Sequence, residues 1–524
     1  MSEKTGNNPE ENIATNTSGN IQYWVSQHAT NTPDKAAIHF IQDAKSHTWT
    51  YAALDLAIEQ QVLRFKQTYQ LKQGDRIAWY GMNNPEMLVL LFAAARCGLI
   101  LVPLNWRLAL PEICFIVKDC APRVVFFDKH FTENIPTLLT ATPDCQGVSI
   151  EAKQHQQFTQ TTKTAIADNS ENIGAATPLM IVYTSGTGGH PKGAVLDQAS
   201  FECNAKMSWH MHDMSADDHI LSFLPMFHVG GFNIQMLPAI ALGATTTLLE
   251  KFDPNEAVRQ LNSGDITLTL TVPTILQTLL AHPDWHEEKL QHLRAMSIGS
   301  TDVPIALIKA LHQINIPLLQ VYGTTETSPL AIYQRQNNAF DSEGSIGQCG
   351  QYCEIRLVDR DGNDVPQGDN GEIWVRGHNI LQHYWNNLEA TNSSLVNGWF
   401  RSGDVARCDE NGFYWFADRL KHVIISGGEN IYAAELERVI RDFPGLQELV
   451  IVGAPDEKWG EVAVVVAVRD PADPRTDHEL TEQILASFNN QLARFKHPKR
   501  VKFVDTLPRT ALGKVQADKV KSLL

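Results

Sequence analysis

The apolar run Pro178-Leu179-Met180-Ile181-Val182 leads directly into Tyr183-Thr184-Ser185-Gly186-Thr187-Gly188-Gly189-His190-Pro191-Lys192-Gly193. A short continuous apolar run followed by small, hydroxyl-bearing and glycine residues reads as a buried strand emptying into a loop. Glycines let backbone N–H groups approach an anion, Thr184, Ser185 and Thr187 add hydroxyl donors, and Lys192 adds a positive charge. Together these are the parts of a phosphate cradle.

The spacing excludes the nucleoside-triphosphatase loop, in which Gly-Lys is followed by Ser or Thr at the start of a helix. Here Pro191 precedes Lys192 and Gly193 follows it. Working outward, 524 residues with 43% hydrophobic content are too many for one ordinary domain. A net charge of −16 argues against broad affinity for nucleic acid or an anionic membrane. The eight cysteines are scattered without a Cys-x-x-Cys pair, which suits reduced thiols in a cytoplasmic protein. Cys349 and Cys353 are too isolated from other ligands for zinc, and the same holds for His210 and His212. Residues 1–20 are polar and are expected to form a disordered tail. The longest apolar stretch, 87–104, contains Arg96 and Gly98, so it reads as helix then strand and not as an integral membrane segment.

From Trp49 onward helical and strand patterns alternate: a helix over 51–65, a strand over 76–80, a helix over 85–96, and strands over 99–103 and 123–127. Residues 128–175 read as an irregular connection. Strands follow at 220–224, 245–249, 266–271, 293–298 and 317–321, with a helix over 254–261 opened by Asp253 and Pro254. Such alternation implies an α/β domain of mainly parallel, helix-flanked sheets. After Glu326 shorter strands (353–358, 372–376, 413–416) suggest a small antiparallel or barrel-like subdomain, with Trp399–Asp404 placing an acid in a tight turn. A boundary near 418–421 precedes a compact α+β domain with strands over 424–426, 449–452 and 462–468 and helices over 433–441 and 480–492. The expected division is therefore 1–20, 21–419 and 420–524.

Ligands of α/β proteins bind at the carboxyl ends of strands. Three polar clusters fall there. Pro225-Met226-Phe227-His228-Val229-Gly230-Gly231 sets a histidine before glycines that leave room for a ligand. Gly299-Ser300-Thr301-Asp302 offers small residues that let a flat ring or phosphate approach. Tyr322-Gly323-Thr324-Thr325-Glu326 combines a stacking face, hydroxyls and a carboxylate of the kind that holds Mg²⁺ beside phosphate. Asp404 is a candidate acceptor for two ribose hydroxyls. The basic segment 494–500 reads as a solvated face.

The glycine loop resembles the signature of the adenylate-forming enzymes (acyl-CoA synthetases, luciferases, peptide-synthetase adenylation domains), with Gly188 where that family usually carries threonine. The resemblance runs from about Trp24 to the C-terminus, with Phe227–Gly231, Tyr322–Glu326, Asp418–Lys421 and Ile425–Tyr432 in the family's order and closest to acyl-CoA synthetases acting on fatty or aromatic acids. It implies a two-step reaction. A carboxylate attacks the α-phosphate of ATP to give an acyl-adenylate and pyrophosphate, and the coenzyme A thiol then displaces AMP. It further implies that Thr184, Ser185, Gly186, Thr187, Gly188 and Lys192 hold the β and γ phosphates and that Glu326 with Thr184 places Mg²⁺. Ser300 and Thr301 line the site, Tyr322 stacks on adenine, Gly323, Thr324 and Thr325 touch the nucleotide, and Asp404 with Arg419 binds ribose. Lys514 bridges carboxylate and α-phosphate, Lys421 is the hinge of a mobile C-terminal domain, Gly427 and Gly428 line the pantetheine tunnel, and His228 gates or orients the acyl group.

Ser300-Thr301-Asp302, Ser402 and Arg509-Thr510-Ala511 depart from the family's usual residues, the first of these at the acyl pocket. The expected substrate is a medium- or long-chain fatty acid. An aromatic acid of the cinnamate or benzoate type and loading of a carrier protein are the alternatives. Amino-acid activation is disfavoured because His228 stands where such enzymes carry an aspartate for the ammonium group. A non-catalytic nucleotide-binding protein is disfavoured because both Glu326 and Lys514 are present. The expected partners are the acid, ATP, coenzyme A and, as a candidate, a second copy of the chain.

Overall fold

A computed structural model describes residues 21–150, 173–184, 191–299, 303–426, 429–456, 459–489, 491–492, 494–509 and 514–524. The chain forms two compact units: the described residues of Met1–Ile355 with Val375–Phe400, and those of Arg356–Trp374 with Arg401–Leu524. The boundary expected at 419/420 falls inside the second of these units and returns below as a proposal.

The first unit is built on two large sheets. One has the order Gln348–Cys349, Ile332–Tyr333, Leu318–Tyr322, Ala295–Gly299, Leu268–Thr271, His219–Ser222, Thr245–Leu249, Ala36–Gln42, Lys45–Thr50. Its central pairings are parallel and its margins antiparallel. The other runs His383–Tyr384, Lys192–Asp197, Pro178–Thr184, Ile100–Pro103, Arg76–Tyr80, Val124–Phe127, Gln146–Ser149. Local signals explain the elements between the strands. Asn84 caps the helix Pro85–Cys97 by accepting from Glu86 N, Pro85 sits where a missing N–H costs nothing, and Gly98 ends it at φ +64°. That helix is buried along nearly its whole length, which is why its sequence looks like a membrane segment. Among the described residues, no helix is long and apolar enough to cross a membrane.

A five-stranded sheet follows, in the order Cys353–Val358, Gly371–Gly377, Trp399–Cys408, Leu395–Val396, with Tyr414–Arg419 paired to Trp399–Cys408. The last sheet lies in the second unit: Glu429–Ile431, Ile424–Ser426, Gly460–Arg469, Leu446–Asp456, with Arg500–Phe503 alongside. Strand Gly460–Arg469 shows why this unit holds together. Ala463, Val465 and Ala467 pack with Leu436, Ile440 and Ile484 on one face, while Val462, Val464 and Val466 pack with Leu507 and Val520 on the other. A strand covered on both faces is apolar at successive positions instead of alternating.

Three expectations need correction. Residues 128–150 are not irregular: helix Ile135–Ala141 and strand Gln146–Ser149 lie there, the strand pairing with Val124–Phe127. This exposed edge strand pairs through its backbone and leaves no apolar alternation to read. Asp404 is not in a tight turn but within Trp399–Cys408, because the strand continues past Gly403 (φ +70°) and Asp404 pairs with Arg419. The helix expected over 480–492 is Asp477–Ala486, started by a reciprocal cap between Thr476 and Glu479.

Candidate active site

The glycine loop is closed at its base by a hairpin. Tyr183 pairs with Gly193 and Thr184 with Lys192, so the hydroxyl and the ammonium arise from adjacent strands. Ser185, Gly186, Thr187 and Gly188 lie outside the described residues. Thr184 Oγ1 is 3.5 Å from the Lys192 carbonyl, too long to hold it firmly, which leaves the hydroxyl available. Lys192 Nζ lies 5.5 Å from the centre of the Tyr384 ring, within cation–π range. The Tyr384 hydroxyl in turn donates to Glu326 Oε1 at 2.8 Å. Burial and the neighbouring Glu326 carboxylate raise the Tyr384 pKa, so the phenol remains a donor at neutral pH.

Tyr384 thus joins the two motifs that sequence alone left separate. It reaches them because His383–Tyr384 pairs antiparallel with Lys192–Asp197 and Trp385 N donates to the Gly193 carbonyl at 2.7 Å. Nothing in its own sequence context marks it. A carboxylate and a hydroxyl are hard oxygen donors, the type that suits a cation which keeps water and takes its other ligands from phosphate.

Tyr322 ends strand Leu318–Tyr322 and is 9% exposed, and the turn 323–327 follows. Thr324 N donates to Thr327 Oγ1 at 3.0 Å, and Leu381 N holds the Glu326 carbonyl at 2.8 Å. At Gly323 a Cβ would come within 1.6 Å of the Pro329 carbonyl oxygen, so close packing of the turn already requires glycine there. Thr325 opens the short helical turn that carries Glu326.

His228 follows the bend 225–227, its N–H donating to the Pro225 carbonyl at 3.2 Å and its ring 4.6 Å from that of Phe227. Buried Asn83 fixes this bend: its Oδ1 accepts from Met226 N at 2.8 Å while its Nδ2 donates to the carbonyls of Leu224 and Leu249. Asn83 escaped the sequence reading because it acts across the fold. Beneath the bend is a cavity of about 10 Å³, room for about one water molecule, lined by Phe223, Leu224, Gly231, Gln235, Met236 and Leu270 among others. Ser300 and Thr301 lie outside the described residues.

In the second unit, Arg419 Nε is 3.2 Å from Asp404 Oδ1, and the carboxylate is nearly buried. The same unit holds Lys514. Its residue surface is largely accessible, yet the protein packed around its ammonium, with Arg419, lowers its pKa, and Asp404 pulls the other way. The three sequence-nominated residues Asp404, Arg419 and Lys514 are therefore brought into electrostatic range of one another. Beside them Asp418 accepts from Ala434 N at 3.0 Å and from its neighbour Arg419 N at 2.7 Å, linking its strand to the first turn of helix Ala433–Ile440. Burial raises the Asp418 pKa, and these N–H groups oppose the rise. Lys421 lies in the short helical segment Leu420–His422. Gly427 and Gly428 are outside the described residues.

Residues 25–385 match the family model of AMP-binding enzymes and residues 435–514 that of the AMP-binding enzyme C-terminal domain. The chain is 42% identical over 509 residues to the indoleacetate–CoA ligase of Aromatoleum aromaticum, covering 96% of this chain and 98% of that protein. It is 33% identical over 499 residues to a long-chain fatty acid–CoA ligase of Mycobacterium tuberculosis, covering 95% and 97%. Its fold matches the crystal structure of ATP-bound MatB from Rhodopseudomonas palustris with a TM-score of 0.84 at 28% identity, over 96% and 98% of the two chains. The chain belongs to the AMP-binding enzyme family, within the adenylate-forming superfamily, and is an ATP-dependent, AMP-forming acyl-CoA ligase.

Proposed function

We propose that the acid activated is aromatic, of the arylacetic kind, and not the medium- or long-chain fatty acid that the sequence reading placed first. The observation that carries this is the 42% identity, over 96% of this chain, to an enzyme named for indoleacetate. The 33% identity to a long-chain fatty acid ligase supports the second reading. Pyrophosphate release measured across arylacetic, cinnamate-type, benzoate-type and straight-chain acids tests the two. Turnover restricted to straight-chain acids would overturn the aromatic reading.

The residues divide by what each step demands. In adenylation negative charge gathers on phosphate, and fixed donors and cations stabilise it without reorganising. Thr184, Ser185, Gly186, Thr187, Gly188 and Lys192 are assigned to the β and γ phosphates. Glu326 and Thr184 would hold Mg²⁺, whose charge offsets that of the departing pyrophosphate. Ser300 and Thr301 are assigned to the lining of the site, Tyr322 to the adenine face, Gly323, Thr324 and Thr325 to the nucleotide, and Asp404 with Arg419 to the ribose. Lys514 is assigned to the reacting carboxylate and α-phosphate, and must withdraw before the thiol attacks. A hinge at Lys421, moving residues 420–524 as a domain, would achieve that withdrawal while keeping the adenylate from water. Gly427 and Gly428 are assigned to the pantetheine path and His228 to orienting the acyl group. The scattered thiols support a cytoplasmic setting. Lys421→Pro should impair thioester formation more than adenylation, and equal losses would count against the hinge.

A further inference from the structure

Cys349 and Cys353 bracket a tight turn that the two-step reaction does not use. Strand Gln348–Cys349 ends where the turn begins, and strand Cys353–Val358 starts where it closes. Cys353 N donates to the Gly350 carbonyl at 3.3 Å and Gly350 N to the Ala331 carbonyl at 2.8 Å, so backbone bonds hold the turn shut. Both sulfurs lie against the same oxygen: the Gly350 carbonyl is 3.5 Å from Cys349 Sγ and 3.7 Å from Cys353 Sγ. The two sulfurs therefore lie no farther apart than those two contacts laid end to end.

The two thiols are unequal. Cys349 is exposed, and Cys353 is half-buried. A hydrogen bond between them lowers the pKa of Cys349 and, together with burial, raises that of Cys353. Packing around Cys349 opposes the fall, and the Ile355 N–H adds to it. The thiolate is the nucleophile, so an accessible sulfur of lowered pKa beside a second thiol is oxidised first and then resolved by its neighbour. Cys203, the third thiol of this region, is buried, with its sulfur 3.7 Å from the Tyr352 carbonyl.

We propose that Cys349 and Cys353 are a modification site, which a peroxide converts reversibly into a disulfide. The Cys349 thiolate attacks one oxygen of hydrogen peroxide: the S–O bond forms, the O–O bond breaks, and the departing hydroxide takes up a proton to leave as water. Cys353 then gives up its proton and attacks the Cys349 sulfur, forming the S–S bond and expelling the sulfenic oxygen as a second water. Two thiols lose two electrons in all, and one peroxide gains them. A loop as short as 349–353 removes little chain entropy when bridged, so a dithiol reductant reopens it readily. The turn also adjoins the strand that carries Tyr322. Cys353 Sγ lies 3.2 Å from the Ala331 carbonyl, and Ala331 N donates to the Tyr322 carbonyl at 3.1 Å. The bridge takes the sulfur's hydrogen away from Ala331 and loosens the end of that strand, which weakens nucleotide binding; this consequence rests on the assignment of Tyr322 to the adenine face.

The test treats the full-length protein with a small excess of hydrogen peroxide, alkylates the remaining thiols and maps the peptides by mass. The peptide spanning 349–353 should be unalkylated and lighter by two hydrogens, and dithiothreitol should restore it. Cys353→Ser should leave Cys349 as a sulfenic acid that dimedone captures, and Cys349→Ser should leave Cys353 unoxidised under the same conditions. A wild type in which Cys349 stays open to alkylation, or in which Cys353 bridges to Cys203, would overturn the site, and neither readout requires a variant to fold. In pyrophosphate release the bridged wild type should show a KM for ATP raised roughly 2- to 10-fold, reversed by dithiothreitol and absent from peroxide-treated Cys349→Ser. An unchanged KM in the bridged protein would overturn the link to the nucleotide. Tyr322→Ala in the reduced protein separates that failure from a failure of the adenine assignment, which an unchanged KM in this variant would remove instead.

Discussion

Tyr384 donates its phenolic hydrogen to Glu326 across 2.8 Å while the face of the same ring receives the Lys192 ammonium, so one side chain spans the phosphate-loop base and the acidic turn. Tyr384→Phe keeps the ring and removes the donor. A hydrogen bond to a charged group contributes about 1.5–3 kcal/mol. The expected result is a loss of roughly 10- to 100-fold in pyrophosphate release with a raised Mg²⁺ requirement, while a supplied acyl-adenylate still reacts with coenzyme A. Unchanged adenylation would show that Glu326 needs no orienting partner.

For Lys514 the direction of the pKa shift sets a pH profile. Its surroundings and Arg419 favour the neutral amine, and Asp404 favours the ammonium. Because stabilising charge on phosphate needs the cation, adenylation at saturating ATP should fall on the alkaline side below the range of an ordinary lysine. Asp404→Asn should move that limb to lower pH and Arg419→Gln to higher pH. Lys514→Ala should abolish pyrophosphate release yet leave thioester formation from a supplied acyl-adenylate. Comparable loss of both half-reactions would contradict the division of roles.

Glu86, buried near the start of helix Pro85–Cys97, has its pKa pushed up to about 8 by burial, against a weaker opposing pull from Arg64. Between its ordinary value of 4.5 and that value, the folded state holds a proton that the unfolded state has released. Stability should therefore decline as pH rises through this window, by up to about 1.4 kcal/mol per pH unit. Glu86→Gln should flatten the dependence and be the more stable protein at the alkaline end in denaturant titrations. A wild-type stability that rises over the same window would refute the assignment.

Asp418 accepts from Ala434 N in the first turn of the helix that follows the proposed hinge. Asp418→Ala should cost about 1 kcal/mol, the usual effect of losing a helix-capping acceptor. Amide exchange should accelerate first in Ala433–Ile440, while protection in the strands of the first unit stays as it was. Uniform acceleration across the chain would mean that the bond is not local in effect.

Much of the fold was legible because its signals are local. Asn84-Pro85 and Asp253-Pro254 announce helix starts, and the apolar runs at 178–182 and 318–321 are buried strands. The edge strand Gln146–Ser149 was not legible, since backbone pairing carries no side-chain pattern. At the site, Thr184, Lys192 and Glu326 stood out through motif chemistry, and the fold brings them around Tyr384. Tyr384 and Asn83 did not stand out, because a lone tyrosine or amide acquires meaning only from partners far along the chain. Gly323 illustrates the converse: it looks like room for a nucleotide, and the Pro329 carbonyl already accounts for it.

The Asp418–Ala434 bond also bears on how this protein can be dissected. A fragment ended at Arg419, where the sequence invites a cut, would keep an almost wholly buried carboxylate with its Arg419 N donor and discard the Ala434 amide that satisfies its other oxygen. Ending the fragment at Phe400 leaves Asp404, Asp418, Arg419 and Lys514 together on the other piece, with their mutual charges intact. That shorter fragment in turn severs strand Trp399–Cys408 and parts Arg356–Trp374 from the rest of its unit, so neither cut leaves a self-contained piece.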